Sequence, residues 1–316
     1  MPSFSVVMPL YNKAPHVARA IKSVLDQDFA DFELIVVDDA SDDGSLDEVY
    51  RFSDPRIQVL QRTEPGAGGY AARNLGINHA CSTWIAFLDA DDEWLPHHLS
   101  KMRLLQSQFP TAGFLACGWL IDDGNERVRN PFLERSNTQC RLLTAAEYLK
   151  VHASGLDVVN TDVAVVKKAL IKEVGGFPDT TKNKVRAGDG KTWLAIMLLQ
   201  TQLAWSPHIG SVYHQDAVNM VTRRFRYEVE DNCLIMFIEK QLRCPHARKF
   251  RRHLKLYRNR RALSLIFQNV RYGSVRSRHL FQVFKYFIFD ARVFFIILGF
   301  IFPGFSRWLV SKVSRA

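Results

Sequence analysis

Over the first 120 residues, short apolar runs alternate with stretches of helical period, and acidic clusters follow two of the runs. Segments 5–8, 32–37, 57–60, 84–88 and 114–121 read as strands. Between the first two, Val17, Ala20, Ile21, Val24 and Leu25 fall on one face of a helix over 13–28. Helices are also expected over 46–52, 68–80 and 96–109, the last with Pro96 in its first turn. Continuously apolar strands need cover on both faces. Alternation with helices therefore implies a mostly parallel central sheet flanked by helices. Ligands of such sheets bind beyond the carboxyl ends of the strands. Asp38-Asp39 and Asp89-Ala90-Asp91-Asp92 both fall at such ends.

Further on, 160–166 reads as a strand and 167–174 as a short helix. Gly175-Gly176-Phe177-Pro178 reads as a helix C-cap followed by a breaker. Asp189, between Gly188 and Gly190, opens an apolar helix to about residue 199, and 208–213 reads as a last strand. Segment 122–160 shows no clear period.

Beyond residue 222 the chain becomes basic and helical. Phe250, Leu254, Tyr257, Leu263, Ile266, Phe267 and Val270 mark one apolar stripe, and a second runs from Phe281 to Leu298. The uncharged stretch 293–305 is shorter than the roughly 20 apolar residues of a spanning helix, so an interfacial helix is expected. The net charge of +10 is split accordingly, −6 over residues 1–219 and +16 over 220–316. Two regions follow, 1–222 as an α/β catalytic domain and 223–316 as a basic amphipathic helical region able to meet an anionic lipid surface.

Three function classes are disfavoured. An apolar fraction of 47% with 23% charged residues excludes wholesale disorder. The five cysteines are scattered without a C-x-x-C pair, so they read as reduced thiols rather than as a zinc site or a disulfide framework. The uncharged start, cut by Pro9, reads as a buried strand rather than a secretory signal.

The carboxylates carry the chemistry. Asp38 and Asp39 can accept hydrogen bonds from a ribose or base, or simply form a polar turn. Two carboxylates one residue apart, Asp89 and Asp91, suit a hard divalent cation shared with substrate phosphates, or a helix-capping turn. Asp189 at a helix start can serve as a general base or an N-cap. Arg73 can pair with phosphate. His214 can approach a phosphate or a metal. Trp193 reads as core or as a wall for the acceptor or sugar.

Taken in order, Ser5-Val-Val-Met-Pro-Leu-Tyr-Asn12, Val36-Val-Asp-Asp-Ala-Ser-Asp-Asp-Gly-Ser45, Ala72-Arg-Asn-Leu-Gly-Ile77, Phe87-Leu-Asp-Ala-Asp-Asp92, Val174-Gly-Gly-Phe177 and Gly188-Asp189 resemble the family 2 inverting glycosyltransferases of GT-A fold. The resemblance implies a nucleotide-sugar donor, a UDP-sugar foremost, and Mg2+ or Mn2+ as cofactor. Pro9, Tyr11, Asp38, Asp39, Arg73 and Asp89 would bind the nucleotide-sugar, and Asp91 with Asp89 the metal. Asp189 would be the catalytic base, and His214 would contact the diphosphate where the family carries Tyr-Arg-x-His. The family often has Glu-Asp where this chain has Gly188-Asp189. The Q-x-x-R-W pattern of processive synthases is absent after Asp189.

The acceptor implied is a glycan, lipid-linked, in cell-surface polysaccharide or lipopolysaccharide assembly. The expected location is cytoplasmic, at the inner face of the membrane through the C-terminal helices. A metal-dependent nucleotidyltransferase is the alternative enzyme, although its Gly-rich phosphate loop is missing. A nucleic-acid-binding protein acting through the tail is the alternative without catalysis, and the long apolar stripe argues against nucleic acid as a partner.

Overall fold

The apolar runs become the buried strands of one mixed sheet in a computed structural model that describes residues 1–136, 139–178, 186–199, 201–217 and 229–271. Strand β1 (Phe4–Leu10) lies inside the parallel half, with Val6, Val7 and Met8 fully buried. It pairs in parallel with β2 (Phe32–Asp38) on one side and β4 (Trp84–Phe87) on the other. The strand β3 (Ile57–Gln61) continues the parallel half beyond β2. These strands and helices α1 (Ala14–Leu25), α2 (Ser45–Tyr50), α3 (Tyr70–His79) and α4 (His98–Gln108) lie where the sequence pattern places them, with bounds moved by a few residues.

The second half of the sheet is less regular than expected. Segment 160–166 is a tight turn at Thr161–Val163 followed by β9 (Val165–Lys167). That strand runs antiparallel to both β4 and β6 (Phe114–Asp122), between which it lies. The parallel order is therefore interrupted at mid-sheet. The stretch 122–160, aperiodic in sequence, supplies short pieces: β7 (Arg127–Arg129), α5 (Pro131–Arg135), β8 (Arg141–Leu143) and α6 (Ala145–Ala153). After α7 (Lys168–Glu173) and α8 (Gly188–Leu198), the strand β10 (Leu203–His214) starts earlier than predicted. It runs parallel to β6. Its first residues pair with β8 and its last with β5 (Glu93–Trp94), and the register shifts between Ser206 and Ser211.

Contacts divide the chain into two compact units, 1–148 with 156–224, and 149–155 with 225–316. In the second, Asn232 caps the helix Cys233–Gln241 by accepting from Ile235 N–H at 3.0 Å. Leu254, Tyr257, Leu263 and Ile266 of the helix Arg251–Arg271 are buried, the face the apolar stripe marks, and the His152 ring lies 4.9 Å from that of Tyr257. The second stripe and segment 293–305 lie outside the described residues. Among the described residues no helix is long and apolar enough to cross a membrane.

One close approach positions everything that follows. Helix α3 lies against β1 and β2 at Gly76, where a Cβ would come within 2.6 Å of Val7 Cγ1 and 3.2 Å of Val37 Cγ2. In an exposed helix Gly→Ala gains about 1 kcal/mol. Here the β-branched neighbours cannot turn away, so overpacking outweighs that gain. Gly76→Ala is expected to destabilise the protein by about 1–3 kcal/mol in chemical denaturation, and an unchanged or raised midpoint would contradict the packing.

Candidate functional site

The turn after β2 buries both of its first carboxylates. Asp38 accepts from the Ser41 backbone N–H at 3.2 Å. Asp39 accepts from Gly66 N–H at 2.9 Å and pairs with Arg62. Burial raises the Asp39 pKa, while Gly66 and Arg62 oppose the shift. At the end of β1, Pro9 lies beneath Gly69 and Tyr11 is 39% exposed, leaving its ring open to a ligand. Asn12 links this end to the second turn by donating to Asp42 at 2.7 Å.

At the end of β4 the carboxylates of the acidic turn, joined by Asp162 from the turn before β9, form an outer and an inner pair. The outer side chains, Asp89 and Asp91, are 32% and 16% exposed. Asp89 pairs with Arg73, and Asp91 with Lys13 at 2.6 Å. The inner ones, Asp92 and Asp162, are buried and anchored to backbone: Asp92 accepts from His214 N–H at 2.7 Å and Asp162 from Asp89 N–H at 2.9 Å. One oxygen each of Asp89, Asp92 and Asp162 lies within 4.8 Å of the others, and Asp162 Oδ2 has no hydrogen-bond partner. Burial, then the charge of Asp89, raises Asp162 to about 7, and burial with the neighbouring carboxylates pushes Asp92 well above the ordinary range. A crowd of oxygen donors with an unsatisfied, buried carboxylate oxygen fits a hard divalent cation such as Mg2+ or Mn2+.

Helix α3 connects this turn to the other motifs. Arg73, buried, donates to Asp89 and, at 3.0 Å, to the Gly68 carbonyl. Burial works against its charge, but Asp89, then Tyr70 and Asp189, hold its pKa above the ordinary value. Asn74 both donates to the Phe177 carbonyl and accepts from Phe177 N–H, each at 2.9 Å, fixing the Gly-Gly-Phe turn. The turn needs glycine at 176: φ is +71°, and a Cβ would reach within 2.7 Å of Asn74 Oδ1. The Tyr70 hydroxyl accepts from Gly188 N–H at 2.9 Å, which sets the start of α8 and so the position of Asp189 in its first turn.

Among the described residues, the non-glycine ones in left-handed backbone are Asn12, Ala40 and Ala187. Each stands beside a motif: after β1, after Asp38-Asp39, and before Asp189. Alanine gains no side-chain hydrogen bond in that conformation, and such strain concentrates at functional sites.

Two sequence expectations change. Trp193 is 2% exposed and packed on Phe87, Phe114 and Phe177, with ring centroids 5.3–5.7 Å away, so it is core and offers no wall to a sugar. His214 is buried, with Nε2 3.2 Å from Glu93 and Nδ1 3.7 Å from Asp122, so both ring nitrogens face the chain's own carboxylates instead of standing open to a diphosphate. Asp162, Lys13, Arg62, Tyr70 and Asn74 escaped the sequence reading. Asp162 and Arg62 stand in no recognisable pattern, whereas Tyr70 and Asn74 flank Arg73 on one helix and could have been found from helical spacing.

Residues 5–157 match the Glycosyl transferase family 2 model. The chain is 42% identical over 124 residues to the Escherichia coli UDP-Glc:alpha-D-GlcNAc-diphosphoundecaprenol beta-1,3-glucosyltransferase WfgD, covering 39% of this chain and 48% of that protein. It is 39% identical over 126 residues to the putative teichuronic acid biosynthesis glycosyltransferase TuaG of Bacillus subtilis, covering 39% and 50%. The chain thus spans about half the length of the curated relatives it matches.

Two solved structures share the GT-A fold at low identity. Staphylococcus aureus TarS 1–349 in complex with UDP-GlcNAc superposes with TM-score 0.68 at 17% identity, covering 88% of this chain and 83% of that one. The mannosyltransferase PcManGT of Pyrobaculum calidifontis, in complex with GDP-Man and Mn2+, gives 0.56 at 18% identity, covering 96% and 88%. Asp189 lies beyond the family-matched residues.

The unfolded chain releases the Asp162 proton near 3.8, whereas the folded, metal-free protein holds it to about 7. Stability should therefore fall as pH rises through that window. Asp162→Asn keeps the oxygen that accepts from Asp89 N–H and removes the charge. In chelator-treated protein it should raise the melting midpoint at pH 8 by roughly 2–4 °C more than at pH 5, about the effect of one kcal/mol of relieved repulsion. Equal shifts at both pH values would contradict the crowding.

Proposed function

We propose that the chain is an inverting glycosyltransferase that moves a sugar from a nucleoside-diphosphate sugar, a UDP-sugar foremost, to a hydroxyl of a lipid-linked glycan in polysaccharide assembly. The observation that carries this reading is the gathering of Arg73, Asp89 and Asp189 around α3 at the carboxyl ends of β1, β2 and β4. The family match, the printed activity of WfgD and the donors held by TarS and PcManGT support it.

Pro9, Tyr11, Asp38 and Asp39 form the nucleoside side of the site, with the Tyr11 ring against the base and Asp39 towards base or ribose. Arg73 stands beside Asp89, where it can meet the donor's diphosphate. Asp189 takes the proton of the acceptor hydroxyl as that oxygen attacks the anomeric carbon. The nucleoside diphosphate leaves from the opposite face, so configuration inverts without a covalent sugar–enzyme intermediate. Asp91 and Asp89, the outer and more exposed pair, would hold Mg2+ or Mn2+, which when bound offsets charge on the departing diphosphate. Asp92 and Asp162, anchored to backbone, keep that turn in shape, and the unpartnered Asp162 Oδ2 would join Asp89 as a further oxygen donor to the ion. In the basic C-terminal region, the described helix Arg251–Arg271 carries Arg251, Arg252, Lys255, Arg258, Arg260 and Arg261, which suits an anionic bilayer surface at the inner membrane face.

A screen of nucleotide-sugars with Mg2+ or Mn2+, read by nucleoside-diphosphate release, tests the reading. Asp189→Asn should reduce transfer at least 1000-fold while donor binding and melting temperature are kept. Pyrophosphate release from a nucleoside triphosphate would instead favour a nucleotidyltransferase. Tyr70→Phe removes the acceptor that pins Gly188 and should lower kcat more than it raises KM, because the base is displaced while the donor site is intact. A Tyr70→Phe enzyme with unchanged kcat would mean that α8 is positioned by other contacts.

A further inference from the structure

We propose that His98, Cys117 and His208 form a buried site for a thiophilic divalent cation of the zinc class, built from residues other than the carboxylate cluster and independent of sugar transfer. The three come from different elements: His98 from the first turn of α4, Cys117 from the middle of β6, and His208 from the irregular stretch of β10. One donor atom of each lies within 4.8 Å of the other two, and His98 Nδ1 is 3.8 Å from Cys117 Sγ. Tetrahedral zinc with ordinary Zn–S and Zn–N bonds sets its donors about 3.6 Å apart, so the trio needs only a small contraction to close on the ion.

Further observations point to a ligand. His98 and Cys117 are fully buried, and the buried His208 Nε2 has no hydrogen-bond partner. A buried ring nitrogen without a partner is costly unless something else satisfies it. The other nitrogen of His208 is 2.9 Å from Ser206 Oγ, the kind of contact that fixes the tautomer of a metal-bound histidine. The space is kept open by Gly210, where any Cβ would collide with both His98 Nδ1 and Cys117 Sγ. The break in register of β10 on either side of Ile209 turns His208 towards the trio, and such irregularities re-aim side chains at sites.

Neutral imidazoles ligate without losing a proton, and the Cys117 thiol gives its proton to solvent as the sulfur–metal bond forms. A groove of about 700 Å3, lined by Leu133, Cys140, Ser206 and His208 among others, reaches the trio at His208 and provides an entry path. Imidazole nitrogen and thiolate sulfur are zinc's usual donors.

The test uses the full chain, stripped with chelator and titrated with Co2+ as a spectroscopic probe, followed by Zn2+. One equivalent of Co2+ should give an intense near-ultraviolet thiolate-to-cobalt band that Zn2+ removes and excess Mg2+ leaves in place. Cys117→Ser should lose the band. His208→Gln lies at the groove, where the substitution spares the packed core, and should weaken Zn2+ binding at least tenfold with the melting midpoint of the stripped protein kept. Absence of the band in the wild type, its survival in Cys117→Ser, or wild-type Zn2+ affinity in His208→Gln would each overturn the proposal. Loss of sugar transfer is not a readout, so the outcome stands apart from the glycosyltransferase reading.

Discussion

The ion pair between the buried Arg73 and the partly exposed Asp89 is the interaction on which the site depends. Arg73 is almost wholly withdrawn from water, and its guanidinium reaches one carboxylate and one backbone carbonyl. Removing Asp89 from such a pair leaves a buried charge without its partner, at a cost of about 3–5 kcal/mol. The pair therefore locks α3 to the end of β4. Because α3 is itself pressed onto β1 and β2 at Gly76, that lock fixes the neighbouring residues too. Asn74 then holds the turn at Phe177, and Tyr70 holds the start of α8. One helix thereby brings four separated stretches of sequence to one site.

The carboxylates gathered at the acidic turn carry different tasks. Asp89 and Asp91 reach towards solvent and make ion pairs, whereas Asp92 and Asp162 are spent on backbone N–H groups inside the fold. The inner pair are held so close to Asp89 that burial and mutual repulsion favour their protonated forms. Left-handed backbone at Asn12, Ala40 and Ala187 is a second stored cost around the same site. A fold tolerates such costs where their geometry is needed for binding or chemistry.

Much of the first half was legible. The apolar runs and the helical stripe of α1 gave the parallel strands and their covering helices, because burial on both faces leaves an unmistakable period. The acidic clusters were placed at strand ends by the same argument. The antiparallel insertion of β9 was not legible: a strand of this length, Val165–Lys167, carries no sign of its direction. For Trp193, a large aromatic side chain suits both a core and a ligand wall, and its contacts with Phe87, Phe114 and Phe177 decide for the core. For His214, no neighbour in sequence reveals that Glu93 will lie beside its ring.

What the sequence determined by itself was the kind of fold, the chemistry of the turns and the order of the motifs, because strand period, turn-forming residues and carboxylate spacing are local properties. What only the tertiary structure decided was which distant groups meet. Asp162 joins Asp89 across 73 positions through a single backbone hydrogen bond. The scattered cysteines gave no pattern of metal binding, yet packing α4 on β6 and β10 brings Cys117 against two histidines whose spacing matches no motif. Contacts of this kind arise from long-range packing, to which sequence separation gives no guide.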